Sequence, residues 1–216
     1  MPEIMIKGPK GQIEARYSNC KKKDSPVALI LHPHPQYGGT MNNKVVYSLY
    51  KTFAAREFST LRFNFRGVGR SHGVYAGGDG ELFDAASALD WLQSNNPNFR
   101  SCWIAGFSFG AWIAMRLLMR YSKINRFVLI APPVNLFDFT FLTPCPISGL
   151  VINGDKDDIV SADLVKKLVD KLSMQRDIKI SHRVIKGANH FFDSQISNVT
   201  QTVNSYLDKN IREIST

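Results

Sequence analysis

Apolar and polar positions along this 216-residue chain follow two rhythms. Short, almost unbroken apolar runs alternate with stretches where apolar residues recur every three or four positions. The first kind reads as strands buried on both faces, the second as amphipathic helices laid against them. Residues 3–7 and 12–17 form two strands joined by the turn Gly8-Pro9-Lys10-Gly11, the pattern of a hairpin. Pro26-Val27-Ala28-Leu29-Ile30-Leu31 is the first doubly buried strand. A loop over residues 32–41 precedes a helix capped by Asn42 or Asn43 and running to about residue 57. Thr60-Leu61-Arg62-Phe63-Asn64-Phe65 is the next strand, and Asp79 is a good cap for a helix carrying Leu82, Ala86, Leu89 and Leu92 on one face.

Ser101-Cys102-Trp103-Ile104-Ala105, Arg126-Phe127-Val128-Leu129-Ile130-Ala131 and Gly149-Leu150-Val151-Ile152 repeat the strand pattern. Helices follow Ser108 and Ser161, the latter reaching about Met174, and residues 178–185 alternate as a more exposed edge strand. A final helix carries Phe192, Ile196, Val199, Val203 and Tyr206 at helical spacing. Strands alternating with helices imply an α/β fold: a mostly parallel, twisted sheet of about eight strands with right-handed crossovers and helices on both faces. Ligands then bind beyond the carboxyl ends of the strands. Five loops converge on that rim: those at His32, Arg66, Ser108, the Asp155–Asp158 stretch and the Gly187–His190 stretch.

The length fits one domain over residues 1–216, and 44% hydrophobic residues supply a sizeable core. No run approaches the ~18 apolar residues of a membrane span. The start, Met1-Pro2-Glu3-Ile4-Met5-Ile6-Lys7, lacks a secretory pattern, so a cytoplasmic location is expected. Cys20, Cys102 and Cys145 are odd in number and far apart, which suggests neither zinc nor a disulfide framework. The net charge of +9 comes from scattered basic residues without an aromatic-basic motif, so a solvated surface is expected and no nucleic-acid partner. Gly67-Val68-Gly69-Arg70-Ser71-His72-Gly73 has three residues between its last two glycines, which is not the dinucleotide spacing, and no phosphate-loop motif occurs. No metal or cofactor is expected, and a homo-oligomer stays open.

Gly106-Phe107-Ser108-Phe109-Gly110 carries the chemistry. A serine on a tight strand-to-helix turn projects its hydroxyl above the sheet edge, at a helix N-terminus whose free N–H groups point outward. Its hydroxyl is a weak nucleophile and needs a base, itself oriented by an acid. Among five histidines, His190 follows the last strand and is the best candidate base; His182 falls mid-strand on the surface, and His72 stays a competitor. The acid belongs to the loop after Ile152, where Asp155, Asp157 and Asp158 compete.

In these segments the chain resembles the α/β-hydrolase superfamily over nearly its whole length. The pentapeptide is similar to the nucleophile elbow, and Phe63-Asn64-Phe65-Arg66-Gly67-Val68-Gly69-Arg70-Ser71 to the R-G-x-G-x-S loop. Ala188-Asn189-His190-Phe191-Phe192 is similar to the histidine turn. Gly154-Asp155-Lys156-Asp157-Asp158-Ile159-Val160 resembles the acid loop G-x-x-D-x-x-V, which places the acid on Asp157. His32-Pro33-His34-Pro35-Gln36-Tyr37-Gly38-Gly39-Thr40-Met41 resembles the loop of a compact bacterial subgroup.

The resemblance implies a Ser108–His190–Asp157 triad and an oxyanion hole. One donor would be the Phe109 amide. Pro33 and Pro35 have no N–H, which leaves His34 at the matching loop position, with Gln36 or Tyr37 behind it. The His32 and His34 imidazoles are read as structural. Lids of this superfamily are inserted where this chain has only about fifteen residues between two strands, so a minimal lid is expected. Phe137 and Phe139, with Phe107 and Trp112, are candidate pocket walls. The expected activity is cleavage of short, soluble carboxylic esters, through an acyl-serine. A thioesterase, lactonase or peptidase on the same triad is the alternative, as is a non-catalytic binding protein.

Overall fold

The unbroken apolar runs become the inner strands of one sheet. The computed structural model describes residues 3–211; residues 1, 2 and 212–216, the ends of the expected domain, lie outside the described residues. β1 (Glu3–Gly8) and β2 (Gly11–Ser18) form the hairpin, followed by β3 (Val27–Leu31) and β4 (Ser59–Phe63). β5 (Cys102–Phe107), β6 (Ile124–Ile130), β7 (Gly149–Gly154) and β8 (Ile180–Ile185) complete an eight-stranded sheet in the order β1-β2-β4-β3-β5-β6-β7-β8. The hairpin pairs antiparallel onto β4, and every strand from β4 to β8 is parallel to its neighbour. Leu31 is level with Gly106, and Phe107 with Ile130, so the ends of the central strands lie side by side.

Among the described residues, five helices cover the two faces: α1 (Lys44–Ala55), α2 (Asp79–Ser94), α3 (Phe109–Leu118), α4 (Ala162–Ser173) and α5 (Ile196–Asn210). In β3, Val27, Leu29 and Leu31 join one core with α2, α3 and α4, while Ala28 and Ile30 join the other with α1 and α5. Both sets are fully buried, which is why the strand shows no polar alternation.

Three expectations shift. Asp79 does not cap α2; Gly78 does, because Glu81 turns its carboxylate back onto the Gly78 and Ala76 amides at 2.7 and 3.0 Å. Asp79 enters the first turn and pairs with Arg116. Phe192 is not in the last helix: it lies buried in a turn at φ +53°, its N–H on the Asn189 carbonyl, and α5 starts at Ile196. β8 is edge-like as expected, but His182 is half-buried, with Nε2 donating to Asn153 Oδ1 at 2.6 Å.

Between β6 and β7 the chain makes only a short loop with a single 3-10 turn, Thr140–Leu142. The loop after β4 is held by a buried pair: the Arg66 guanidinium grips both oxygens of Asp84 at 2.7 and 2.9 Å. Among the described residues, no helix is long and apolar enough to cross a membrane.

Candidate active site

Ser108 sits between β5 and α3 with φ 52° and ψ −119°, a backbone conformation that side chains rarely adopt. Its N–H donates to the Ile130 carbonyl of the neighbouring strand at 2.9 Å, and its own carbonyl takes the Ala111 amide at 2.8 Å. The turn is tight because two glycines let backbones meet. A Cβ on Gly106 would lie 2.3 Å from the Gly110 carbonyl oxygen, and one on Gly110 would lie 2.5 Å from that of Leu31. Phe109 opens α3, so its N–H is a first-turn donor without an intrahelical acceptor.

His190 comes from the turn after β8. Its Nε2 lies 3.0 Å from Ser108 Oγ and its Nδ1 2.8 Å from Asp157 Oδ2. The carboxylate accepts, so Nδ1 carries the ring hydrogen and Nε2 faces the serine hydroxyl as an acceptor. The other Asp157 oxygen accepts the Ile159 and Val160 amides at 2.9 and 2.7 Å, which fixes the carboxylate's direction. Both side chains are shut off from solvent, at 3% and 0% exposure. Asp155 is used otherwise: it takes the Gly187 amide at 2.5 Å and ties the acid loop to the histidine turn. Asp158 stays exposed.

The remaining histidines separate cleanly. His72 is exposed in the loop after β4, its backbone N–H on the Gln12 carbonyl of the hairpin. His32 is fully buried, with Nδ1 donating to Pro33 O at 2.6 Å and Nε2 accepting the Phe65 amide at 3.0 Å. Burial pushes its pKa down to about 3, against the Pro33 carbonyl, which favours the protonated ring. His34 differs from the expectation of a purely structural ring. It lines the cavity above Ser108 and packs among Tyr37, Tyr75 and Phe109 at 4.7–4.9 Å. The His34 carbonyl accepts the Tyr37 and Gly39 amides at 3.1 and 3.0 Å, which folds the loop back over the helix start.

The cavity holds about 440 Å³. Phe137 is among the residues that line it; Phe107, Trp112 and Phe139 are not. Phe107 is the last residue of β5, and strand alternation sends its ring to the opposite face, where it lies fully buried 5.4 Å from the His190 ring. Trp112 stacks behind Phe137 at 4.4 Å and donates Nε1–H to the Asp138 carbonyl at 2.9 Å, bracing the wall from outside. Phe139 faces a separate depression with Leu164 and Lys167 and stacks on Phe141. Sequence reasoning missed the rim, made by Tyr37, Leu136, Ile159 and Phe191, which are exposed large apolar residues. Two of them gave a usable signal: Ile159 and Phe191 sit beside the candidate acid and base, where a solvated turn has no need of them. Among the described residues, no group of three His, Cys, Asp or Glu side chains is placed to hold a metal ion.

Known proteins match this architecture. The family described as serine aminopeptidase, S33, matches residues 37–144. The uncharacterised protein RP471 of Rickettsia prowazekii (strain Madrid E) is 54% identical over 211 residues, covering 96% of this chain and 89% of that protein. ATU1826 of Agrobacterium tumefaciens, a protein of unknown function assigned to the α/β hydrolases, superimposes with a TM-score of 0.96 at 53% identity, over 98% of this chain and 97% of that one. XC6422 of Xanthomonas campestris, described as an α/β serine hydrolase without lid, reaches 0.87 at 27% identity, over 96% and 94%. The family match over half of the chain, with the likeness to ATU1826 over 98% of it, shows that the chain belongs to this family and to the α/β-hydrolase superfamily.

Proposed function

We propose that this serine hydrolase cleaves carboxylic esters through an acyl-serine, with Ser108 as nucleophile, His190 as base and Asp157 as the acid that orients it. The observation that carries the reading is the continuous hydrogen-bonded chain Asp157–His190–Ser108, closed at 2.8 and 3.0 Å. His190 takes the Ser108 proton as Oγ attacks the ester carbonyl, then gives it to the departing alkoxide. A water activated by the same ring releases the acid. The Phe109 amide, with that of His34, would face the tetrahedral oxyanion; one such donor is worth roughly 10²–10³ in kcat.

Esters fit the cavity better than peptides with a free amino end. An aminopeptidase must hold an ammonium group, and among the described residues no Asp or Glu lines this cavity. A volume of about 440 Å³ and the short loop in place of a lid suit a small ester with an apolar arm. The reading keeps the sequence's picture of one domain acting on a small molecule in the cytoplasm.

A p-nitrophenyl ester series tests it. Butanoate and hexanoate esters should turn over, and activity should drop at long acyl chains. Ser108→Ala should abolish turnover and fluorophosphonate labelling while leaving thermal unfolding unchanged. Turnover retained in Ser108→Ala, or activity rising steadily to long chains, contradicts the proposal.

A further inference from the structure

Besides the exposed Tyr37, two polar side chains line the cavity without a part in the proposed chemistry, His34 and Asn43. The backbone assigns the hydrogens of both. His34 caps the short 3-10 turn Pro35–Tyr37, and its Nδ1 accepts the Gln36 amide at 3.2 Å. A neutral imidazole that accepts at Nδ1 carries its hydrogen on Nε2. Desolvation holds this ring's pKa below the usual histidine value, outweighing the Glu81 carboxylate, which raises it.

Asn43 caps α1. Its Oδ1 accepts the Val45 amide at 2.9 Å, which identifies the oxygen end of the side-chain amide and makes Nδ2 its donor end. Neither His34 Nε2 nor Asn43 Nδ2 has a partner among the described residues, and neither is sealed from solvent. Both are donors. Among the described residues, no carboxylate lines the cavity, and the other polar side chains there are Ser108, His190 and the exposed Tyr37.

We propose that His34 and Asn43 form a donor pair that selects esters whose apolar arm carries a hydrogen-bond acceptor, a ketone or ether oxygen. This rests on the esterase reading above. An arm with an acceptor replaces the water that its entry displaces from the two donors. A purely aliphatic arm leaves them dry and unpaired, and an ammonium meets a second donor instead of an acceptor.

Two matched ester pairs test this. The acyl pair is p-nitrophenyl 4-oxopentanoate against 4-methylpentanoate, and the alcohol pair is 3-oxobutyl against 3-methylbutyl butanoate, followed by acid release. Intrinsic reactivity cancels when each oxo-to-methyl ratio of kcat/KM is compared between wild type and variants. Asn43→Asp keeps an oxygen for the Val45 amide but turns the donor into an acceptor. His34→Asp keeps a side-chain acceptor for the Gln36 amide, leaves the backbone amide of residue 34 in place, and removes the donor. In one of the two pairs the ratio should fall about tenfold in either variant, and the responding pair identifies the arm that fills the cavity. Ratios unchanged in both pairs, with all esters still hydrolysed, overturn the donor pair and leave the esterase intact. If the wild type hydrolyses none of the four esters although Ser108 still labels with a fluorophosphonate, both readings fall.

Discussion

Two imidazoles in this molecule are almost equally buried and do unlike things. His32 is 0% exposed and His190 is 2% exposed. Both bond through both ring nitrogens, and both keep their hydrogen on Nδ1. The partners differ. Backbone groups hold His32: the Pro33 carbonyl on one side and the Phe65 amide on the other. Side chains hold His190: the Asp157 carboxylate and the Ser108 hydroxyl. An amide N–H that is part of a turn has no proton to give, so the His32 ring is a strut joining the loop after β3 to the loop after β4. In the proposed reaction the hydroxyl gives one up, and the carboxylate behind the ring would stabilise the imidazolium that results. Burial therefore marks neither role; the acidity of the partner does.

The largest effect expected from this contrast is on turnover. His190→Asn should lower kcat by about 10⁴ or more, and Asp157→Asn by about 10⁴, because the amide imposes the wrong ring tautomer. Neither change should shift the urea midpoint much; in Asp157→Asn the new side-chain amide still offers an oxygen to the Ile159 and Val160 N–H groups. Ester hydrolysis at saturating substrate measures the loss. A drop of less than tenfold in His190→Asn would make this ring a second strut.

His32→Asn should do the reverse. It strands the Phe65 amide in the core, at a cost of about 1–3 kcal/mol, read as a lower urea midpoint. Turnover should fall far less than in His190→Asn. Unchanged stability with abolished turnover would exchange the two roles.

The same contrast explains what the sequence could reveal. The sheet was legible because β3, β5, β7 and the Phe127–Ile130 half of β6 are buried on both faces and show as largely apolar runs. Ser108 was legible because the elbow needs glycines at fixed offsets, and their physical cause is the contact between Gly110 and the Leu31 carbonyl. Rim and walls were not. Phe107 looks like a pocket aromatic beside the nucleophile, but strand alternation turns it beneath the sheet. Phe137 and Phe139 are equivalent in sequence, and only the fold of the loop around Thr140–Leu142 sends one to the cavity and the other away. The hydrogen directions of His34 and Asn43 depend on which backbone amide each side chain meets, and no periodicity encodes that. The α2 cap failed for a related reason: Asp79 has the right chemistry, but Glu81 had already claimed the free amides.

The smallest effect separates the two rings by pH. In the folded protein, His32 has a pKa of about 3, while in the unfolded chain an exposed histidine titrates near 6.5. Above pH 6.5 neither state is protonated and the site contributes nothing to any pH slope. As pH falls below that value the unfolded chain binds a proton that the folded protein refuses, so stability falls, by up to about 1.4 kcal/mol per pH unit, until pH approaches 3. His34 and His182, both lowered by burial, act in the same direction. Urea midpoints measured from pH 7 to pH 4.5 should therefore decline steadily in the wild type and more gently in His32→Asn, which has lost one of the contributing rings. Equal slopes in the two proteins would mean that the His32 ring takes up its proton in place, and the account of it as a neutral backbone strut would fail.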